Sequence, residues 1–158
     1  MTRVSLGLAL FGLLGSASAG AEVTSFNPVK NVEAMLEVNG PKVKVTVQVD
    51  AREPRTIDFA AEKSLHVAID DFNFDGMKDF SVWQIDDGMG TYTIHRIFIY
   101  RPKTADFEEV QPDCGDGFVN LRVDKKRKVL LSTYWGMDGP QSCVTRFQWK
   151  RVEVWHDH

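Results

Sequence analysis

The sequence predicts an all-β fold, one antiparallel domain of meandering hairpins over residues 20–158. Three observations carry that expectation. Runs rich in β-branched and aromatic residues alternate apolar with polar positions. Asn, Asp, Gly and Pro interrupt those runs at the intervals typical of a meander. No stretch sustains the period of an amphipathic helix.

The N-terminal residues stand apart from that domain. Arg3 precedes an apolar run, Val4 to Leu14, too short to span a bilayer, and Ala17-Ser18-Ala19 offers the small residues a signal peptidase reads. Residues 1–19 therefore read as a signal peptide, cut after Ala19 or alternatively after Ala21. The expected product is soluble, in the periplasm or secreted, with no membrane span.

The strands follow in order. Val32, Ala34, Leu36 and Val38 alternate with polar residues up to Asn39-Gly40, after which Val43, Val45, Val47 and Val49 alternate with Lys44, Thr46 and Gln48, a hairpin signal. Residues 58–63 hold a helical turn at most. Leu65 to Ile69 and Phe80 to Ile85 read as strands on either side of an acidic loop. The second leads through Asp86-Asp87-Gly88-Met89-Gly90 into Thr91 to Tyr100, an alternating run ended by Arg101-Pro102. Lys103 to Phe107 is a turn and short return strand. Val119 to Val123, the basic turn Asp124 to Lys128, and Val129 to Trp135 make a third hairpin. Cys143 to Trp155 reads as the final strand, with Cys143, Phe147, Trp149 and Trp155 on one face.

The acidic loop carries the most specific spacing in the chain. Asp71-Phe72-Asn73-Phe74-Asp75-Gly76-Met77-Lys78-Asp79 places oxygen-bearing side chains at positions 1, 3, 5 and 9 of a calcium-loop pattern, with Gly76 at position 6, where the backbone must turn sharply. Three carboxylates brought together repel one another, and a hard divalent cation offsets that repulsion. The expected ligands are Asp71, Asn73, Asp75, the carbonyl of Met77 and Asp79, holding one Ca²⁺. An EF-hand needs a bidentate Glu at position 12, which here is Val82. The loop therefore joins two strands. The plainer reading is an acidic β-turn, and Asp70 falls outside the ligand phase.

Cys114 and Cys143 are the only cysteines, an even count in an exported chain, and should form one structural disulfide. Redox chemistry would favour a close pair such as Cys-x-x-Cys, which is absent. The chain has a net charge of −3, which becomes −4 once Arg3 leaves with the signal peptide. With no basic stripe interleaved with aromatics, nucleic acid is not expected as a partner, whereas the acidic balance suits either a cationic protein partner or ordinary solubility.

A second segment invites a functional reading. Thr133 to Gln141 places Tyr134 and Trp135 before Gly-x-Asp-Gly-Pro, close to Cys143, a rigid exposed loop able to present Tyr134, Trp135 and Gln141 to a partner's cleft. The alternative is that both aromatics end a strand in the core. Catalysis is not expected. No nucleophile-elbow or phosphate-cradling pattern occurs. Asp86 and Asp87, adjacent on a strand, point to opposite faces. His66 and His95 read as ordinary strand histidines, and His156-Asp157-His158 as a frayed terminus.

Residues Asp71 to Val82, with Tyr100-Arg101-Pro102-Lys103-Thr104-Ala105-Asp106-Phe107 downstream, resemble the calcium-loop-plus-hairpin unit of FG-GAP and integrin-like β-propeller repeats. More closely, they resemble a family of small periplasmic proteins of Gram-negative bacteria carrying one such unit, some of which inhibit c-type lysozyme. The resemblance covers roughly residues 65 to 110. It implies a blade-like antiparallel sheet, calcium at the loop, and inhibition of a lysozyme-like peptidoglycan hydrolase. The rival function is a calcium-dependent glycan-binding or structural module of the cell envelope, since exposed Trp and Tyr also suit sugar rings.

Overall fold

The computed structural model describes residues 21–50, 52–86, 88 and 91–147. The expected signal peptide, Trp149, Trp155 and the terminal histidines lie outside them. All the regular elements among the described residues are strands, in two antiparallel sheets. The all-β expectation holds.

The four-stranded sheet runs in sequence order as β1 (Glu22–Phe26), β2 (Val32–Asn39), β3 (Lys42–Val49) and β4 (Arg55–Ala60). The β2–β3 hairpin forms as its alternation requires, turning at Gly40-Pro41 and pairing Leu36 with Val45. Residues 58–63 hold no helical turn. Residues 55–60 pair along β3, with Val43 opposite Phe59 and Val45 opposite Ile57, because the β3 edge supplies hydrogen bonds that a single helical turn cannot match. β1 was not foreseen, since Glu22 to Phe26 contains little alternation to distinguish it.

The seven-stranded sheet contains β5 (His66–Asp70), β6 (Asp79–Asp86), β7 (Tyr92–Arg101), β8 (Asp106–Val110), β9 (Phe118–Asp124), β10 (Val129–Gly136) and β11 (Gly139–Thr145). Its order is β11-β10-β9-β7-β6-β5, with β8 also on β7. The return strand after Lys103 is β8. The final strand begins earlier than expected, at Gly139, and ends at Thr145, because Gly139-Pro140 already pairs with Trp135-Gly136 across a tight turn.

Alternation along β7 divides the core in two. Phe98 and Tyr100 face the four-stranded sheet and join Phe80, Phe107, Leu36, Val45 and Phe59. Phe98 stacks on Phe80 with ring centroids 4.8 Å apart. Ile97 and Ile99 point the other way and meet Phe72, Phe118 and Leu130. Burial on both faces explains why residues 97–100 form an uninterrupted apolar run. Phe72 belongs to the acidic loop, which thus folds over the outer face of the sheet.

Candidate metal loop and aromatic hairpin

The loop joins β5 to β6, which pair antiparallel from Asp70–Asp79 onward. Its oxygens hold its own amides. Asp71 accepts from Asp75 N at 3.0 Å and Gly76 N at 2.8 Å. Asp75 accepts from Met77 N at 2.7 Å and from the Asn73 carboxamide at 3.0 Å, and Asn73 Oδ1 accepts from Asp75 N at 3.2 Å. Gly76 has φ +87°, the left-handed turn expected at position 6. Phe74 also lies there, at φ 64°, a conformation that is costly for a bulky residue. Its ring packs against the outer cluster, which compensates.

Asp79 is fully buried, its two oxygens accepting from Phe72 N and Tyr100 N at 2.9 Å each. Its carboxyl is raised to about 7, chiefly by burial and also by the charge of Asp75, against the lowering effect of the Tyr100 and Phe72 amides. The Asp75 contribution reflects charge concentrated in the loop. Asp70, the residue before the loop, is engaged elsewhere. It accepts from Lys125 Nζ at 2.8 Å and from Asp71 N at 2.9 Å.

The donor chemistry suits a hard cation, being all oxygen, and the amide bonds leave further lone pairs on Asp71 and Asp75. Among the described residues, however, no three His, Cys, Asp or Glu side chains gather as a metal-holding group. Asp71, Asn73 and Asp75 are brought together by hydrogen bonds, and Asp79 is pinned by the sheet.

At the other end of the sheet the expected exposed loop is a paired hairpin. Tyr134 lies opposite Gln141, Trp135 opposite Pro140 and Gly136 opposite Gly139, leaving Met137 and Asp138 at the tip. Tyr134 Oη donates to Gln141 Oε1 at 2.6 Å, so these two candidates bind each other. Trp135 remains 50% exposed, with the ring of Tyr92 edge-on at 5.0 Å. Met137 is wholly exposed and was missed. An apolar residue inside a Gly-x-Asp-Gly turn was the available signal. Cys114 is bonded to Cys143, which ties the 113–117 loop to β11 beside the hairpin.

His66 and His95 stack on either side of Trp83, centroids 4.4 and 5.6 Å away, in one row across β5, β6 and β7. Burial lowers His95 to about 4. Asp86 lies 3.6 Å from Lys63, and Asp87 is outside the described residues. None of the described helices is long and apolar enough to cross a membrane, as none of the described residues is helical. Comparison with protein-family models, curated proteins and solved structures finds no match.

Proposed function

We propose that this protein is an exported, calcium-binding inhibitor of lysozyme-like peptidoglycan hydrolases that acts by occlusion and without chemistry of its own. The observation that carries this reading is the β10–β11 hairpin, which holds Trp135 and Met137 toward solvent on a paired, disulfide-anchored frame. Two large apolar side chains held outward on one rigid turn offer a partner a compact anchor to bury. A preorganised hairpin loses little conformational freedom on binding, so more of its contact energy appears as affinity.

A lysozyme groove carries a general acid and a second carboxylate. The hairpin would fill that groove, and the Gln141 amide nitrogen has hydrogen atoms to donate there. Asp71, Asn73, Asp75, the Met77 carbonyl and Asp79 would hold the calcium ion. When bound, it supplies positive charge against three carboxylates and links the loop to the sheet. The disulfide suits an oxidising compartment such as the periplasm.

The test is turbidity clearing of cell walls by c-type, i-type and g-type lysozymes with increasing mature protein, calcium present. At least one should be inhibited. Trp135→Ala should weaken that inhibition by about 2 kcal/mol, near thirtyfold, without unfolding the protein. Failure to protect against any of the three at micromolar concentrations leaves the glycan-binding reading in its place.

A further inference from the structure

Beside the hairpin lies an open cleft of about 350 Å³ between the disulfide loop and β10. Its floor is a row across three strands, Ile94 opposite Val119 and Val119 opposite Thr133. A bulge in β9 sets that row. Asn120 takes φ 52°, accepts from Thr93 N at 3.1 Å, and with Leu121 fills the register gap opposite Ser132. One wall carries the half-exposed Trp135, on the same face of β10 as Thr133, and the other carries Asp116 on a Gly-Asp-Gly loop.

The walls are built to stand close. A Cβ on Gly115 would lie 2.8 Å from Tyr134 Cβ, and Gly115 has φ +75°, so only glycine lets this loop approach β10. The Cys114–Cys143 bond holds the same loop to β11. Tyr92 packs edge-on to Trp135 at 79° and limits its movement. Among the described residues no cation pairs with Asp116.

We propose that this cleft seats an arginine side chain presented by a cationic protein partner. The chemistry matches part by part. An aliphatic stem fits over Ile94 and Val119, a planar guanidinium stacks on an exposed indole, and a carboxylate without a cation of its own accepts its N–H groups. A saccharide would need a dense set of neutral donors and acceptors. The cleft instead offers one carboxylate and one threonine hydroxyl. This inference rests on the inhibitor reading for the identity of the partner, and the cleft chemistry can be tested without it.

The experiment follows the Trp135 indole N–H resonance of the ¹⁵N-labelled mature protein, assigned with Trp135→Phe. N-acetyl-arginine methylamide, its lysine and norleucine analogues, and chitotriose are titrated separately. The arginine probe should shift that resonance saturably and the norleucine probe should not. Asp116→Asn should weaken the arginine response about tenfold, the loss expected for a charge-assisted hydrogen bond. A response to chitotriose but not to arginine, equal responses to arginine and norleucine, or no response to any probe overturns the proposal.

Lysozyme inhibition by the same variants separates the two readings. If Trp135→Ala abolishes inhibition and Asp116→Asn, folded by its spectrum, leaves it intact, the hairpin reading stands and the arginine seat is refuted. If no lysozyme is inhibited yet the arginine probe binds through Asp116, the seat stands and the inhibitor reading falls.

Discussion

Replacing Cys114 and Cys143 together by serine removes a cross-link between residues 29 apart, and its cost follows from the chain entropy of the unfolded state. Closing a loop of that length restricts the unfolded ensemble by about 3.5 kcal/mol at 25 °C. The native state should change little, since β10 and β11 stay paired from Leu130–Thr145 to Gly136–Gly139 without the bond. The loss should therefore appear almost wholly as reduced stability. For a domain of this size, with a urea m-value of roughly 2 kcal/mol per molar, the midpoint should fall by about 1.5–2 M. The slope itself should rise slightly, because an uncross-linked chain exposes more surface on unfolding. Urea titrations of the mature protein and the double variant, followed by tryptophan fluorescence and circular dichroism, measure both quantities. A midpoint shift under about 0.5 M at equal slope would refute the entropic account.

Calcium should raise the melting temperature of the mature protein relative to excess chelator, through mass action on the folded state. Asp75→Ala should abolish that difference, and scanning calorimetry in both buffers checks it. The His95 imidazole is lowered from 6.5 to about 4, so as pH falls the unfolded chain binds its proton first. Its contribution to stability should be present above about 6.5, decline as pH falls toward about 4 and level off below, and His95→Phe should flatten that segment of the stability–pH curve. Gly115→Ala should cost about 1–3 kcal/mol, from a left-handed backbone and a Cβ driven onto Tyr134, and chemical denaturation reads it directly. Gly117→Ala, where a Cβ meets nothing within 4 Å, is the control.

Local chemistry made much of this protein legible in the sequence. The β2–β3 hairpin was readable because valines at every second position leave only one face to bury. The loop between β5 and β6 was readable because Asp, Asn and Gly at those spacings close Asx turns onto neighbouring amides. The disulfide followed from an even cysteine count. What the alternation did not reveal was the division of strands between two sheets. That depends on pairing between segments far apart in the chain, such as β7 with β9, where Ile94 meets Val119.

The same limit governed the site. Tyr134 and Trp135 could be singled out as aromatics near glycines, but whether they were core or surface depended on where the four-stranded sheet stops covering its larger neighbour. β4 alternates as well, turning Ile57 and Phe59 inward, but it took the free edge of β3 to pair it. The cleft combines Asp116 from the disulfide loop, Ile94 from β7 and Trp135 from β10. No sequence window contains all three. Sequence by itself determined the strands with clear alternation and the turns between them, because those choices cost or gain free energy within a few residues. Tertiary structure alone decided which faces are covered and which side chains share a cleft, because that follows from burial and hydrogen bonding between distant strands.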